Sequence, residues 1–314
     1  MENFYSANSV NNIEALVDKA LRLKGDPFGD QNHKGKTALL LFFNPSLRTR
    51  ISTQKAAQNL GMHAITMNAD QGWKWEMEDG AVMKFNTSEH IKDAARVISR
   101  YADVVGIRAF PGLEDRDKDY RDEVMHAFME YAEVPLVNLE SSILHPCQSL
   151  ADLITIKETQ TKKKNKVVLS WAPHPKALPQ AVSNSFLQWI TKTDNEVVIT
   201  HPKGYELNEE FTKGCTIEYD QKKAFEGADY IYTKNWSSYK DYGKILSTDE
   251  SWMISQDKMK LTDNGKFMHC LPVRRNVVVA DEVIDSANSL VFQQAENRVY
   301  AAQAAIHSLL SKTI

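Results

Sequence analysis

Short β-branched runs separated by longer amphipathic segments set the strongest limit on how this 314-residue chain can fold. Extended runs are expected at 37–43, 63–67, 103–107, 134–138, 166–171, 196–200, 229–233, 266–270 and 290–292. Helical patterns lie between them, near 9–23, 47–60, 89–101, 118–131, 147–159, 180–192, 220–226 and 294–311. Strands that alternate with helices pair in parallel and are covered by those helices. Four extended runs come before residue 145 and five after it, so the pattern implies two α/β halves joined by the helix at 147–159. Gly61 closes the 47–60 helix as a C′ residue. The basic stretch "TKKKNK" (161–166) reads as a solvated turn before the second half.

Composition narrows the functional class. Hydrophobic residues make up 42% and charged residues 25% of the chain, as in ordinary globular proteins. A net charge of −3 provides no basic face for nucleic acid. No apolar run approaches the ~20 residues needed to cross a bilayer, and no secretory signal is visible in "MENFYSANSV". Three scattered cysteines suit neither a disulfide framework nor a zinc knot, and a reducing cytoplasm is the expected location.

Open α/β sheets bind ligands beyond the carboxyl ends of their strands. After the first run comes "NPSLRTR" (44–50). Ser46 fits an N-cap, and a capped helix start offers backbone N–H groups to an anion. Arg48 adds a planar fork suited to phosphate or carboxylate, and Thr49 adds a hydroxyl. No glycine-rich phosphate loop of the nucleotide or dinucleotide type is present. Taken alone, the stretch reads equally as a helix start whose arginines face water. Polar groups at other strand ends favour the anion site: Arg108, His145 and Gln148 around Pro146, Cys270 and Arg298.

The segments "SLRTR", "GIR" (106–108), "HPCQ" (145–148), "HCLP" (269–272) and "AENR" (295–298) resemble, in order, the signatures of the aspartate/ornithine carbamoyltransferases. The resemblance implies a carbamoyl-phosphate domain over 1–146, completed by the closing helix 294–314, and an amino-substrate domain over 147–293. It implies a homotrimer with active sites shared between subunits. Carried over residue by residue, the phosphate rests on Ser46, the Leu47 backbone, Arg48, Thr49 and Arg108. Thr49, Arg108, His145 and Gln148 polarise the carbonyl, while Cys270 and the Leu271 backbone face the carbamoyl amine with Arg298 nearby. An amine attacks the carbonyl carbon, and fixed donors hold the oxygen as it gains charge. Neither a metal nor a redox cofactor is required. A non-catalytic anion-binding scaffold on the same fold is the remote alternative; the presence of Arg108, His145, Gln148 and Cys270 speaks against it.

The identity of the amine follows from departures within the family. Ornithine enzymes carry Asp-x-x-x-Ser-Met-Gly where this chain reads "YTKNWSSY" (232–239). Lys234 stands roughly at the Asp position, and a lysine facing an α-ammonium at ~4 Å costs roughly 4 kcal/mol at an effective dielectric of ~20. Free ornithine is therefore disfavoured. "GWKWE" (72–76), "WAPHPKALPQAV" (171–182), "YTKNW" and "CLPVRRN" resemble the branch that takes N-acylated ornithine, in which the α-ammonium charge is gone and the α-carboxylate remains. The resemblance assigns Glu140, His174, Lys234 and Arg274 (in preference to Arg275) to acylornithine, and Trp73 to a neighbouring subunit's site, with Trp75 as the alternative. Loop packing is the plainer reading of both tryptophans. The proline-rich 171–182 stretch resembles a segment that threads a loop, which implies a backbone knot.

Two positions bear on the acyl group. Acetyl-type enzymes carry Glu at the place of Ser88 and a lysine at that of Val278; succinyl-type enzymes carry Pro and an apolar residue. Ser88 matches neither, but it leaves room for a second carboxylate that Glu would repel. It could also belong to a helix-capping group. The expectation is N-succinyl-L-ornithine, with N-acetyl-L-ornithine as the alternative.

Overall fold

The computed structural model describes the chain except Asp30, Asp70, Gln71, Trp73, Phe85, Thr313 and Ile314. The chain forms two compact units, one of Met1–Pro111, Asp117–Leu150 and Arg298–Ile314, the other of Gly112–Arg116 and Ala151–Asn297. Both are α/β with parallel sheets.

The first unit is built on strands β1 (Thr37–Phe42), β2 (His63–Asn68), β3 (Trp75–Glu76), β4 (Glu89–His90), β5 (Val104–Arg108) and β6 (Leu136–Glu140). Four of them form one sheet in the order β2-β1-β5-β6, and β3 pairs with β4 in a separate short ladder. Helix α1 (Ile13–Gly25) precedes β1; α2 (Arg48–Asn59), α3 (Ile91–Tyr101), α4 (Arg116–Tyr120) and α5 (Glu123–Tyr131) lie between these strands in sequence, and α6 (Pro146–Thr159) leads out of β6. The sheet interior is aliphatic, as strands covered on both faces require: Leu39, Leu41, Val105, Ile107 and Leu136 cluster with Met125 and Phe128 of α5. Gly106 sits in close packing: a Cβ there would lie 2.9 Å from Leu139 Cδ1, so Leu139 would have to shift. Strand order reverses between β1 and β5, which makes their carboxyl ends the expected ligand position.

The second unit carries β7 (Lys166–Trp171), β8 (Glu196–Thr200), β9 (Thr216–Glu218), β10 (Tyr230–Lys234) and β11 (Lys266–Met268) in the order β11-β10-β7-β8-β9. Its helices are α7 (Ala181–Ile190), α8 (Glu209–Thr212), α9 (Gln221–Phe225), α10 (Gln256–Met259) and α11 (Asp281–Ile284). Here the order reverses between β7 and β10. The closing helix α12 (Val291–Leu310) begins in this unit and ends in the first. Within the first unit Asn59 Nδ2 donates to Gln303 Oε1 (3.0 Å) and Lys19 Nζ to Ser308 Oγ (3.1 Å), holding that end in place.

Several elements differ from the sequence expectation. Residues 290–292 are not a strand; Val291 opens α12, the fifth strand of the second sheet is the short polar β9, and the short helices α8, α10 and α11 were not expected. An apolar run of three cannot distinguish a buried helix turn from a strand. The 118–131 helix is broken at Asp122, whose φ of +47° is left-handed. The two-residue β3·β4 ladder, too short to leave a periodic signal, closes the loop that contains Ser88. Among the described residues no helix is long and apolar enough to cross a membrane.

Candidate active site

The loop after β1 is held by its own side chains. Asn44 Oδ1 accepts the N–H of Phe110 at 2.6 Å, tying the end of β1 to the residues after β5. Ser46 Oγ accepts the N–H of Thr49 at 3.2 Å, so it caps α2 from one residue outside the usual position, where Leu47 makes no side-chain bond. Arg48 is half-buried and Thr49 fully buried on the first turn. Arg50 turns the other way: its guanidinium lies over the Phe42 ring (4.5 Å) and bonds Asn68, so it braces β1 against β2.

Arg108 ends β5 rather than following it. It is buried, and its Nε and Nη2 each lie 3.1 Å from Glu140 Oε2. Nη1 donates to the carbonyls of Asn44 (3.1 Å) and Pro45, and the guanidinium stacks 4.1 Å from the Phe110 ring centroid. Burial pushes its pKa down and Glu140 pulls it back; Arg298 and Arg50 push it down further, so three guanidiniums converge on one field. The ordinary value is high enough that the charge remains.

Arg298, from α12, links the cluster. Nη1 donates to Gln148 Oε1 at 2.6 Å, Nη2 donates to Thr49 Oγ1 at 2.6 Å, and Nη2 lies 3.5 Å from His145 Nε2. His145 Nε2 is also 3.5 Å from Glu140 Oε2. Thr49, Arg108, Glu140, His145, Gln148 and Arg298 are all buried, so residues far apart in sequence meet in one polar cluster at the carboxyl ends of β1, β5 and β6. Burial raises the Cys147 thiol to about 12, with Arg298 opposing, and its Sγ meets the Asn138 carbonyl; this cysteine is protonated packing.

The sequence grouping placed Glu140 with the acylornithine contacts. It lies in the first unit, against Arg108 and His145. The other three belong to the second unit. Lys234 ends β10 in register with Trp171 of β7, at the point where strand order reverses. His174 follows three residues beyond Trp171, and its Nε2 accepts from Arg274 Nε at 3.1 Å. Its Nδ1 lies against the Lys176 backbone, 2.9 Å from the carbonyl and 3.1 Å from the N–H. Burial holds the His174 pKa below the usual histidine range, and Arg274, Lys234 and Lys176 lower it further. Arg275 is committed elsewhere, bonding Asp281 (2.8 Å) and both oxygens of Asp285 (2.7 Å), so Arg274 is the one that meets His174. Cys270 is buried as a thiol, outside any disulfide. Leu271, with φ +51°, donates its N–H to His269 Nδ1 at 2.9 Å. Val278 is buried, a position that suits its apolar side chain.

In the loop closed by β3 and β4, Ser88 is exposed and its N–H bonds the Lys74 carbonyl at 3.0 Å. The capping reading of Ser88 is overturned: His90 caps α3, its Nδ1 accepting from Lys92 N–H at 3.1 Å. Trp75 packs edge-on between Phe43 (5.8 Å) and Phe128 (5.7 Å), so its ring is committed to its own core. Trp73 lies outside the described residues. Asn44 was not singled out by sequence reasoning; the Asn-Pro step that ends β1 was its available signal.

Residues 3–158 match the family of aspartate/ornithine carbamoyltransferase, carbamoyl-P binding domain, and residues 179–309 match its Asp/Orn binding domain. An N-succinylornithine carbamoyltransferase of Bacteroides fragilis (strain 638R) is 46% identical over 314 residues, covering 99% of each chain. A crystal structure of acetylornithine transcarbamylase complexed with acetylcitrulline superposes with a TM-score of 0.93 at 35% identity, covering 98% of this chain and 99% of that one. A variant of N-acetyl-L-ornithine transcarbamylase with one glutamate replaced by serine, bound to carbamyl phosphate and N-succinyl-L-norvaline, superposes at 0.91, with 35% identity over 98% of this chain and 100% of that one. With both halves matched and a relative this similar along its whole length, the chain belongs to the aspartate/ornithine carbamoyltransferase family and is a carbamoyltransferase.

Proposed function

We propose that this enzyme transfers the carbamoyl group of carbamoyl phosphate to the δ-amine of an N-acylated ornithine, in arginine synthesis. The observation that carries the reading is the buried cluster in which Arg298 joins Thr49, Gln148 and His145 beside the Arg108–Glu140 pair. Ser46, the Leu47 N–H, Arg48, Thr49 and Arg108 hold the phosphate. Thr49 and Gln148 give their acceptor ends to Arg298, so the hydroxyl proton and the amide NH₂ are the ends turned to the substrate oxygen. The amine lone pair forms the new C–N bond and the carbonyl electrons move onto oxygen, where Arg108, His145, Thr49 and Gln148 stabilise them. Collapse breaks the C–O bond to phosphate, which leaves with its charge held by the arginines and takes up the amine proton. Cys270 and the Leu271 carbonyl orient the carbamoyl NH₂. Holding both reactants in line supplies a large share of the rate, up to ~7–11 kcal/mol.

In the second unit His174, Lys234 and Arg274 bind the α-carboxylate of the amine. Glu140 acts on the carbamoyl side by orienting Arg108 and His145. For the acyl group the reading is succinyl, supported by Ser88, by Val278 and by the 46% identical relative of that name. We take the glutamate replaced by serine in the succinylnorvaline-bound variant to correspond to Ser88. The acetyl reading is the second one, favoured by the close superposition on an enzyme holding acetylcitrulline. The two are separated by parallel assays of carbamoyl phosphate with ornithine, N-acetylornithine and N-succinylornithine. Turnover of free ornithine alone sinks the acyl assignment. Ser88→Glu is expected to move preference from succinyl toward acetyl by roughly tenfold or more, from charge repulsion alone; an unmoved ratio removes Ser88 as selector.

A homotrimer belongs to the same proposal, supported by Leu47 (65% exposed) and Ile51 (57%), one turn apart on α2 beside Ser46 and Arg48. Trp73 is assigned to a neighbouring subunit's site. A knot at 171–182 is part of it too, supported by the resemblance of this proline-rich stretch to a loop-threading segment. Light scattering tests the trimer, and a monomer with full activity overturns it.

A further inference from the structure

Lys258 of α10 is a buried cation with only neutral partners. Its ammonium meets Gln221 Oε1, the Ser251 carbonyl and the Met253 carbonyl (2.9 Å), and among the described residues no carboxylate lies within ion-pair distance. Removing a charge from water against neutral acceptors is costly. Burial pushes the lysine down to about 8, with Lys222 adding repulsion and Asp249 opposing it. An apolar side chain of similar length would avoid this cost but would leave the three acceptors without a donor, so the lysine holds them together.

The contacts converge on one place. Ser251 and Met253 flank Trp252, in the single 3₁₀ turn Glu250–Trp252. Gln221, held by Lys258, donates Nε2 to the Trp252 carbonyl (3.1 Å) and to Ser170 Oγ (2.8 Å) in β7. The Trp252 ring stands edge-on to Trp171, with centroids 6.1 Å apart at 83°. Trp171 is the last residue of β7, is in register with Lys234, and donates Nε1 to the Trp236 carbonyl at 3.1 Å. His174 lies three residues further on.

We propose that Lys258 is a positioning residue for the amine substrate: it ties the Glu250–Trp252 turn, through Gln221 and Trp252, to the last rung of the β7·β10 ladder and so fixes His174 and Lys234. The inference rests on the assignment of those two residues to the α-carboxylate of the amine.

The test is steady-state kinetics of Lys258→Met and Gln221→Met with carbamoyl phosphate and the N-acylornithine that the wild type turns over, together with melting curves. The expected result is a KM for the amine raised about tenfold, equivalent to one lost tether. The KM for carbamoyl phosphate and the kcat at saturating amine stay within about twofold. An unchanged amine KM, or both KM values rising together, overturns the proposal; so does a lower melting point with unchanged kinetics. Should Lys258→Met fail to fold, Gln221→Met decides by the same criterion. If the wild type turns over no N-acylornithine, the amine assignment itself fails and the proposal falls with it, an outcome visible before any variant is made.

Discussion

The two units treat their cations in opposite ways. In the first, Arg108 is paired with Glu140 and Arg298 is spent on Thr49 and Gln148, all in a buried cluster. In the second, Lys234 is half-buried and Arg274 exposed, and both act on a His174 that stays neutral between them. The first arrangement is tied together by its own ion pair and hydrogen bonds; in the second, Arg274 donates to His174 Nε2, and Arg274 and Lys234 both lower the His174 pKa. The difference teaches where specificity resides. On the proposed reading, a donor common to a whole family is met by rigid, preorganised groups, whereas the amine that distinguishes its branches would be met by more exposed ones.

That contrast can be broken most severely at Arg108. Arg108→Ala is expected to abolish measurable turnover and to cost ~3–5 kcal/mol of stability, because Glu140 is left buried without its cation; chemical denaturation and initial rates measure both, and a stable, active variant refutes the preorganised cluster. Gln148→Leu removes one donor and should lower kcat by about 10²–10³-fold with the amine KM preserved. Arg274→Ala should act the other way, raising the amine KM about tenfold through loss of one charge-assisted bond while kcat and the carbamoyl-phosphate KM hold. Its neighbour Arg275, locked to Asp281 and Asp285 on the surface, should show unchanged kinetics and a slight fall in melting temperature when changed to Ala. A kinetic effect at 275 larger than at 274 would exchange their roles.

The smallest effect is a matter of pH. His174 has a folded-state pKa below its unfolded value, so the unfolded chain binds the extra proton first as pH falls. The histidine therefore subtracts from stability progressively as pH drops from the ordinary histidine range through its lowered value. Melting temperatures of the wild type between pH 7 and 5 should decline more steeply than those of His174→Gln. Parallel curves would mean that the three cations do not bear on His174 as the geometry indicates.

Much of this was legible in the sequence because the chemistry follows strand ends, and strand ends can be read from short β-branched runs. Arg108, Lys234 and the loop at 44–50 were found that way. The fifth strand was not, because Thr216–Glu218 is brief, polar and at the sheet edge, where burial leaves no pattern. The surroundings of Glu140 needed coordinates for a different reason. A carboxylate at the end of a strand carries no mark of which cation it will meet, and only the β5·β6 register, shifted between Ile107 and Arg108, brings Arg108 opposite it. The choice between Arg274 and Arg275 also needed coordinates, since adjacent residues of one type differ only in direction. Lys258 left no trace at all, because burial of a lysine is invisible in a sequence of surface-like composition.

Arg298 has a consequence for how the molecule comes into being. It bonds Gln148 across 150 residues of chain and Thr49 across 249. Contacts this remote close late in folding, after the entropy of the intervening loop has been overcome. A nascent chain that has formed the first sheet and α6 holds the hydroxyl, amide and imidazole of the cluster without the guanidinium that organises them. The pocket is therefore completed by a segment that leaves the ribosome long after the first sheet, and a chain synthesised only as far as that sheet has no competent site to offer.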